Sequence, residues 1–239
     1  MRRSWHVASA SDTKQLDAAL IAGADAFVID LSHAGPEEAA HLRAQVADWL
    51  VRHRSRLASA LYVMVHAASS ALLQDDIIAL TPFAPDGFII PESAGGADIQ
   101  KVDVMISAQE AVAGIAAGSM GIVALPADTS TGVFGGMTYA RKSTRLQALA
   151  WSADRLAQHL KLEDWQLPDG RLAPPLETAR DHCLIGAAAA SVASIDLTAP
   201  SGDPEHFTAE CRRAKAMGFS GKLAANARQV EIINTVFAP

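Results

Sequence analysis

This sequence predicts an α/β fold of the closed (β/α)8, TIM-barrel type, on three observations. Short apolar runs alternate with helical patterns along the whole of the 239 residues, and that alternation implies parallel strands joined by helical crossovers. Eight such strand runs are present, and the length suits a closed barrel of about 250 residues. The stretch after the first run, 8–12, holds no glycine, so the phosphate-binding turn of an open doubly wound sheet is missing. The chain is read as one barrel domain over 1–239.

The first strand is expected over 5–9, followed by a helix over 11–22 with Ser11 as N-cap and Leu16, Leu20 and Ile21 on one face. Residues 25–31, DAFVIDL, are a buried strand. Gly35-Pro36-Glu37-Glu38 opens the second helix, with proline and acids in its first turn. The third strand covers 61–66, LYVMVH, and a helical pattern runs over 68–80 until Thr81-Pro82. Residues 87–91, GFIIP, make the fourth strand. The pattern over 97–117 is assigned to helix by its length, although 102–106 alone would pass for a strand.

Residues 121–126, GIVALP, are the fifth strand, followed by a glycine-rich helix or loop over 131–141. The sixth strand, 146–151, leads into a short helix over 153–160. Residues 165–175 form the one long irregular connection, of a size usual for functional lids or disordered segments. A helix over 176–190, a strand over 193–197 and a helix over 205–217 follow. Gly218 and Gly221 then bracket a turn into the last strand, 222–225, and a closing helix starts near 227.

Composition narrows the function classes. With 26 acidic against 20 basic residues the net charge is -6, and no basic stripe is present, which argues against nucleic-acid binding. No apolar run approaches a membrane span. Met1-Arg2-Arg3 resembles the start of a signal peptide, but Asp12, Lys14 and Asp17 interrupt any apolar core. Cys183 and Cys211 lack metal-ligand spacing and read as buried free thiols. A cytoplasmic address is expected.

Residues 218–234, GFSGKLAANARQVEIIN, carry the most informative likeness. They resemble the closing segment of the citrate lyase beta-subunit and 2,4-dihydroxyheptanedioate aldolase superfamily, which reads close to GFDGKLAIHPRQV; here Asn226-Ala227 stand where that family has His-Pro. In order along the chain, Arg3-Ser4, Ala22-Gly23-Ala24-Asp25-Ala26 with Ile29-Asp30-Leu31, Asp128-Thr129 with Gly132, Leu149-Ala150 with Leu156-Ala157, and Pro168-Asp169-Gly170 with Ala179-Arg180 are similar to further segments of the family. The resemblance implies a barrel enzyme, commonly a homo-oligomer, acting on small carboxylates, 2-oxo acids or acyl-CoA thioesters. It also implies Mg2+, which polarises a carbonyl and stabilises the enolate or carboxylate that develops as a C–C bond is made or broken. An arginine at the end of the third strand assists in that family by holding the oxygen where charge builds.

The departures fall at the strand ends, from which barrel enzymes draw their catalytic groups. Where the family has Arg-x-Asn, this chain has Met64-Val65-His66; methionine offers no charge and only a weak acceptor. The family's paired acids after strand two fall on Ser32-His33, and its lysine after strand four falls on Glu92. Its first metal glutamate falls on Asp128, one methylene shorter, and its second metal acid falls on Arg155, with Asp154 one residue earlier. Arg155 then sets a guanidinium where a cation-binding carboxylate would stand, and a pairing with Asp128 neutralises the pocket without a metal.

The expected site therefore comprises Asp128 and His66 as catalytic groups, Arg155, Met64 and His33 as substrate contacts, and Asp128 with Asp154 as metal acids. Other readings stand beside these. Asp128 followed by Thr and Ser suits a helix N-cap; Arg155 suits a solvated helix position. His33, His66 and Asp128 would make a transition-metal set if they converged, and Ser130 with His33 or His66 a nucleophile and base, though without a nucleophile-elbow pattern. Asp30 is expected to orient a donor at its strand end. Lyase or aldolase chemistry, a barrel kept for binding or assembly alone, and a barrel with different chemistry around these residues are the three functions this pattern admits.

Overall fold

The computed structural model describes residues 2–167, 171–197 and 203–238. Eight parallel strands close into a barrel in chain order: β1 (Ser4–Ser9), β2 (Ala26–Asp30), β3 (Ala60–Met64), β4 (Gly87–Ile90), β5 (Gly121–Ala124), β6 (Leu146–Ala150), β7 (Ala193–Asp196) and β8 (Gly221–Ala224). The barrel shuts where Trp5 of β1 stands level with Leu223 of β8. The helices between the strands are α1 (Thr13–Ala19), α2 (Pro36–His53), α3 (Leu73–Leu80), α4 (Gly96–Ala113), α5 (Ser130–Gly135), α6 (Ala153–Leu160), α7 (Pro174–Ala190) and α8 (Pro204–Met217), and α9 (Ala227–Val236) follows β8.

The apolar runs are nearly continuous because both faces of each strand are covered. Inward residues build a narrow interior from Trp5, Ala26, Val28, Tyr62, Met64, Ile89, Val123, Leu125, Ala148, Ala150, Ile195 and Leu223. Trp5 and Tyr62 fill its lower part with ring centroids 4.7 Å apart. Gly87 leaves room for them: a Cβ there would lie 2.8 Å from the Tyr62 ring and collide with the Gly121 carbonyl. Outward residues, among them Phe27, Ile29, Val63, Phe88, Ile90, Ile122 and Leu149, pack against the helices in a larger cluster with Leu16, Trp49, Ile77, Val102 and Leu176.

The sequence motifs at the strand starts serve the scaffold. Arg3 donates to Asp25 through its backbone N–H at 2.7 Å and through its guanidinium at 2.8 and 2.9 Å, and Ser4 Oγ donates to Asn234 at 2.7 Å. Together they clip β1, β2 and α9 at the N-terminal end of the barrel. Asn226, the first residue of the Asn226-Ala227 pair, caps α9 by accepting from Gln229 N at 3.0 Å, and Gln229 Oε1 accepts from Ala225 N at 2.7 Å.

Several boundaries differ from expectation. The N-cap of α1 is Asp12, which accepts from Lys14 and Gln15, rather than Ser11. The helix expected from residue 68 begins at Leu73, and that expected to reach 117 stops at Gly114, whose φ of 67° ends it. Residues 131–141 resolve into α5 and a short 3-10 turn, Gly136–Thr138. The long connection carries an antiparallel bridge between Gln166 and Leu172; Pro168, Asp169 and Gly170 lie outside the described residues.

Candidate active site at the barrel mouth

The C-terminal strand ends converge on one side chain, Arg155, the third residue of α6. Because α6 starts directly after β6, its first turn stands over the barrel rim and the side chain reaches across the mouth, only 12% exposed. Its NH2 donates to Ser32 Oγ at 2.5 Å and faces His33 Nε2 at 3.0 Å, so that nitrogen acts as an acceptor. Met64 Sδ lies 3.9 Å from the same NH2. Three carboxylates surround the guanidinium beyond hydrogen-bond range: Asp128 Oδ2 at 3.8 Å from Nε, Glu92 Oε1 at 3.8 Å from NH1 and Asp30 Oδ2 at 4.0 Å from NH2. One arginine thus spans the ends of β2, β3, β4 and β5.

Each surrounding group has its own local support. Asp30 Oδ1 accepts from both the backbone N–H and the hydroxyl of Ser32, at 2.8 and 2.5 Å, so Asp30 orients a strand-end donor as its position suggests. Glu92 takes a left-handed φ of 52°, a conformation that costs a non-glycine residue on the order of 1 kcal/mol. It turns the Glu92 N–H toward Asp128 Oδ2, 3.3 Å away.

Asp128 is buried completely, and its Oδ1 has no hydrogen-bond partner. Burial raises its carboxyl far above the usual range, against the opposing pull of Arg155 and the Glu92 N–H; the charges of Asp154 and Glu92 add to the rise, which reaches about 8. The N-cap alternative for Asp128 fails, because Thr129 caps α5 by accepting from Gly132 N at 3.1 Å.

The structure therefore gathers Asp128, Arg155, Met64 and His33 at the mouth and leaves two expected members elsewhere. His66 is turned away and buried: Nδ1 lies 2.6 Å from Asp76 Oδ2 and Nε2 lies 2.9 Å from the Ala34 carbonyl. The convergence of His33, His66 and Asp128 is thereby corrected, since both His66 ring nitrogens are engaged away from Asp128. Asp154 is exposed and accepts from Ser152 Oγ, so it does not join Asp128 as a second donor. Ser130 bonds neither His33 nor His66 but His159 Nε2, at 3.0 Å.

Among the described residues no three His, Cys, Asp or Glu side chains converge as a metal centre requires. A guanidinium stands amid the three mouth carboxylates and faces Asp128, the deepest of them, at 3.8 Å. With that cation in place the donor set does not fit Mg2+, whose oxygen ligands lie at about 2.0–2.1 Å.

Two charged networks escaped sequence reasoning. On the outer face of the barrel, Asp196 accepts from Trp151 Nε1 at 2.9 Å, Arg180 at 2.8 and 3.1 Å and Lys222 Nζ at 2.7 Å. At the other end of the barrel, Arg145 spans Asp103 and Glu110. The only available signal was an acid ending an apolar strand run and a lysine inside another. A depression of about 960 Å³ lies at the N-terminal end beside Arg3, Asp25 and Phe237. Its Arg3–Asp25 pair is self-satisfied, and that end of a barrel serves stability rather than chemistry.

Comparison with known proteins adds four findings. A family model described as HpcH/HpaI aldolase/citrate lyase matches residues 4–227. A citrate lyase subunit beta-like protein of Deinococcus radiodurans is 30% identical over 227 residues, covering 90% of this chain and 72% of that protein. A (3S)-malyl-CoA thioesterase of Cereibacter sphaeroides is 27% identical over 235 residues, covering 96% and 74%. Among solved structures, a citrate lyase beta subunit of M. tuberculosis complexed with oxaloacetate and magnesium superposes with a TM-score of 0.78 at 19% identity, over 100% of this chain and 97% of that one. At that identity the likeness is one of fold.

Proposed function

The chain belongs to the HpcH/HpaI aldolase/citrate lyase family, and from that premise we propose that it is a carbon–carbon lyase or aldolase acting on a small carboxylate, 2-oxo acid or acyl-CoA thioester at a mouth built on Arg155. The observation that carries the reading is the guanidinium, 12% exposed and central among four strand ends. Cleavage beside a carbonyl leaves an electron pair that is stable only as an enolate. A planar guanidinium donates a charge-assisted hydrogen bond to such an oxygen, or two parallel ones to a carboxylate. In this chain the arginine comes from α6, whereas the resemblance placed the family's assisting arginine where Met64 stands.

Asp128, neutral through burial, is suited to deliver a proton to the carbon that loses its partner. Magnesium is bound by relatives of this fold; the donors here do not fit it, and no step is assigned to it. His33 and Met64 border the guanidinium and would contact the substrate.

A second reading is favoured by the charge balance of the mouth. Ser32 and His33 already accept from Arg155 NH2, and three carboxylates surround the guanidinium at 3.8–4.0 Å, as in a barrel kept for binding or assembly. Turnover of oxaloacetate, of pyruvate with an aldehyde, and of malyl-CoA, each with Mg2+ and with EDTA, separates the two. The lyase reading expects turnover that survives EDTA and falls at least about 100-fold in Arg155→Ala, a size typical for loss of one oxyanion donor. Absence of turnover, with thermal stabilisation by oxaloacetate that Arg155→Ala removes, selects the binding barrel; absence of both sinks both readings. Self-association is proposed with either reading, since Phe134, Met137 and Ile185 are exposed, and sedimentation tests it. A cytoplasmic address is proposed from the two free buried thiols; no described helix is long and apolar enough to cross a membrane.

A further inference from the structure

His66 takes no part in the mouth, yet it is 6% exposed at the end of β3 and every polar atom of its ring is engaged. Asp76 Oδ2 accepts from the His66 backbone N–H at 2.9 Å and lies 2.6 Å from Nδ1. The other oxygen of Asp76, a residue with no exposure, accepts from Arg43 NH1 at 2.9 Å, and Arg43 also faces Asp75 at 3.6 Å. On the opposite side of the ring, Nε2 lies 2.9 Å from the carbonyl oxygen of Ala34. A carbonyl only accepts, so Nε2 carries the hydrogen in that contact.

The relay joins Arg43 on α2, Asp76 on α3, His66 after β3 and Ala34 in the turn between β2 and α2. That turn is the one that presents Ser32 and His33 to Arg155 NH2. Ser32 has a separate anchor in Asp30. Beyond it, the backbone is held by the Ala34 N–H to Leu31 carbonyl bond at 3.1 Å and, from outside the turn, by His66. A buried histidine tied to a buried carboxylate on one side is a stiff donor on the other, because its orientation is already set.

We propose that His66 is a positioning residue for the mouth: by holding the Ala34 carbonyl it sets the turn that brings Ser32 and His33 onto the Arg155 guanidinium. The proposal rests on Arg155 being the working group of the mouth. Its test uses no substrate, so its failure and the failure of the lyase reading are distinguishable.

The NH2 protons of the Arg155 guanidinium, which make the Ser32 and His33 contacts and are assigned in a 15N-labelled sample by their disappearance in Arg155→Lys, report how firmly the guanidinium is held. His66→Gln sets an amide nitrogen near the Nε2 position and preserves the Ala34 contact. His66→Asn sets one near Nδ1 and preserves only the Asp76 contact. The expected result is a displaced, slowly exchanging Arg155 signal in the wild type and in His66→Gln, and its collapse onto the exposed arginines in His66→Asn. Collapse in both variants, with the remaining backbone spectrum unchanged, supports the same role and shows that both nitrogens are needed. An Arg155 signal unchanged in both variants, or a spectrum altered throughout the barrel, would overturn it.

Discussion

Asp128→Asn tests the electrostatics of the mouth most directly. The carboxyl is fully buried, with one long 3.3 Å hydrogen bond from Glu92 N and an orphaned Oδ1. Its attraction to Arg155 acts across 3.8 Å, and Asp154 and Glu92 repel its charged form. Burial wins, and the group titrates near 8 in place of its ordinary 3.8. Between those values the folded chain keeps a proton that the unfolded chain releases. The stabilisation is therefore whole below about pH 4 and is lost as pH rises toward 8.

At roughly 1.4 kcal/mol per unit, the loss at pH 7 has a ceiling of about 4 kcal/mol, and relaxation around the site brings it to about 2–4. Asparagine has no charge to bury. Urea unfolding should find the variant within about 1 kcal/mol of wild type at pH 4.5, where both side chains are neutral in the folded state, and more stable by about 2–4 kcal/mol at pH 7.5. A gap that does not change with pH, or a variant less stable at pH 7.5, would refute the reasoning. Asp128 would then be ionised in the fold and stabilised by Arg155.

Three further outcomes follow from the packing. Asp196→Ala leaves Arg180 and Lys222 buried without a counter-charge and should cost about 3–5 kcal/mol in urea unfolding; a loss below about 1 kcal/mol would show that water reaches the cluster. Gly132→Ala drives a Cβ into the Pro126 carbonyl and to 2.6 Å from the Ser93 carbonyl, both backbone atoms. The melting temperature should fall by the equivalent of about 1–3 kcal/mol or more, and an unchanged value would mean that α5 shifts freely. Cys183 and Cys211 are free and buried, which raises both thiols, Cys211 to about 12. Their reaction with a disulfide reagent should wait on unfolding, and rapid labelling in native buffer would contradict the packing.

The β2 run is apolar on both faces and bounded by acids, which makes it legible as a covered strand; the helical pattern over 68–80 begins five residues before α3 because 68–72 hold a turn that Ser70 closes onto Leu72. At the site, Arg155 was placed among the mouth residues because the spacing of neighbouring leucines and alanines allowed no gap. His66 was misplaced for the opposite reason. It follows an apolar strand as a mouth residue would, and nothing local reveals that Asp76, ten residues away, captures its ring. Asp154 differs, since its hydroxyl partner Ser152 lies two residues earlier and the side chain is exposed.

By itself the sequence determined the closed eight-stranded barrel, the family and the absence of a charged group at position 64. These depend on local periodicity and on residue identity, which need no distances. Only the tertiary structure decided that one guanidinium from α6 meets residues 30, 32, 33, 64, 92 and 128 together. Strand ends far apart in the chain come within 4 Å of one side chain only when the barrel closes. The same closure removes water from Asp128, and that desolvation, which no motif encodes, holds its carboxyl neutral.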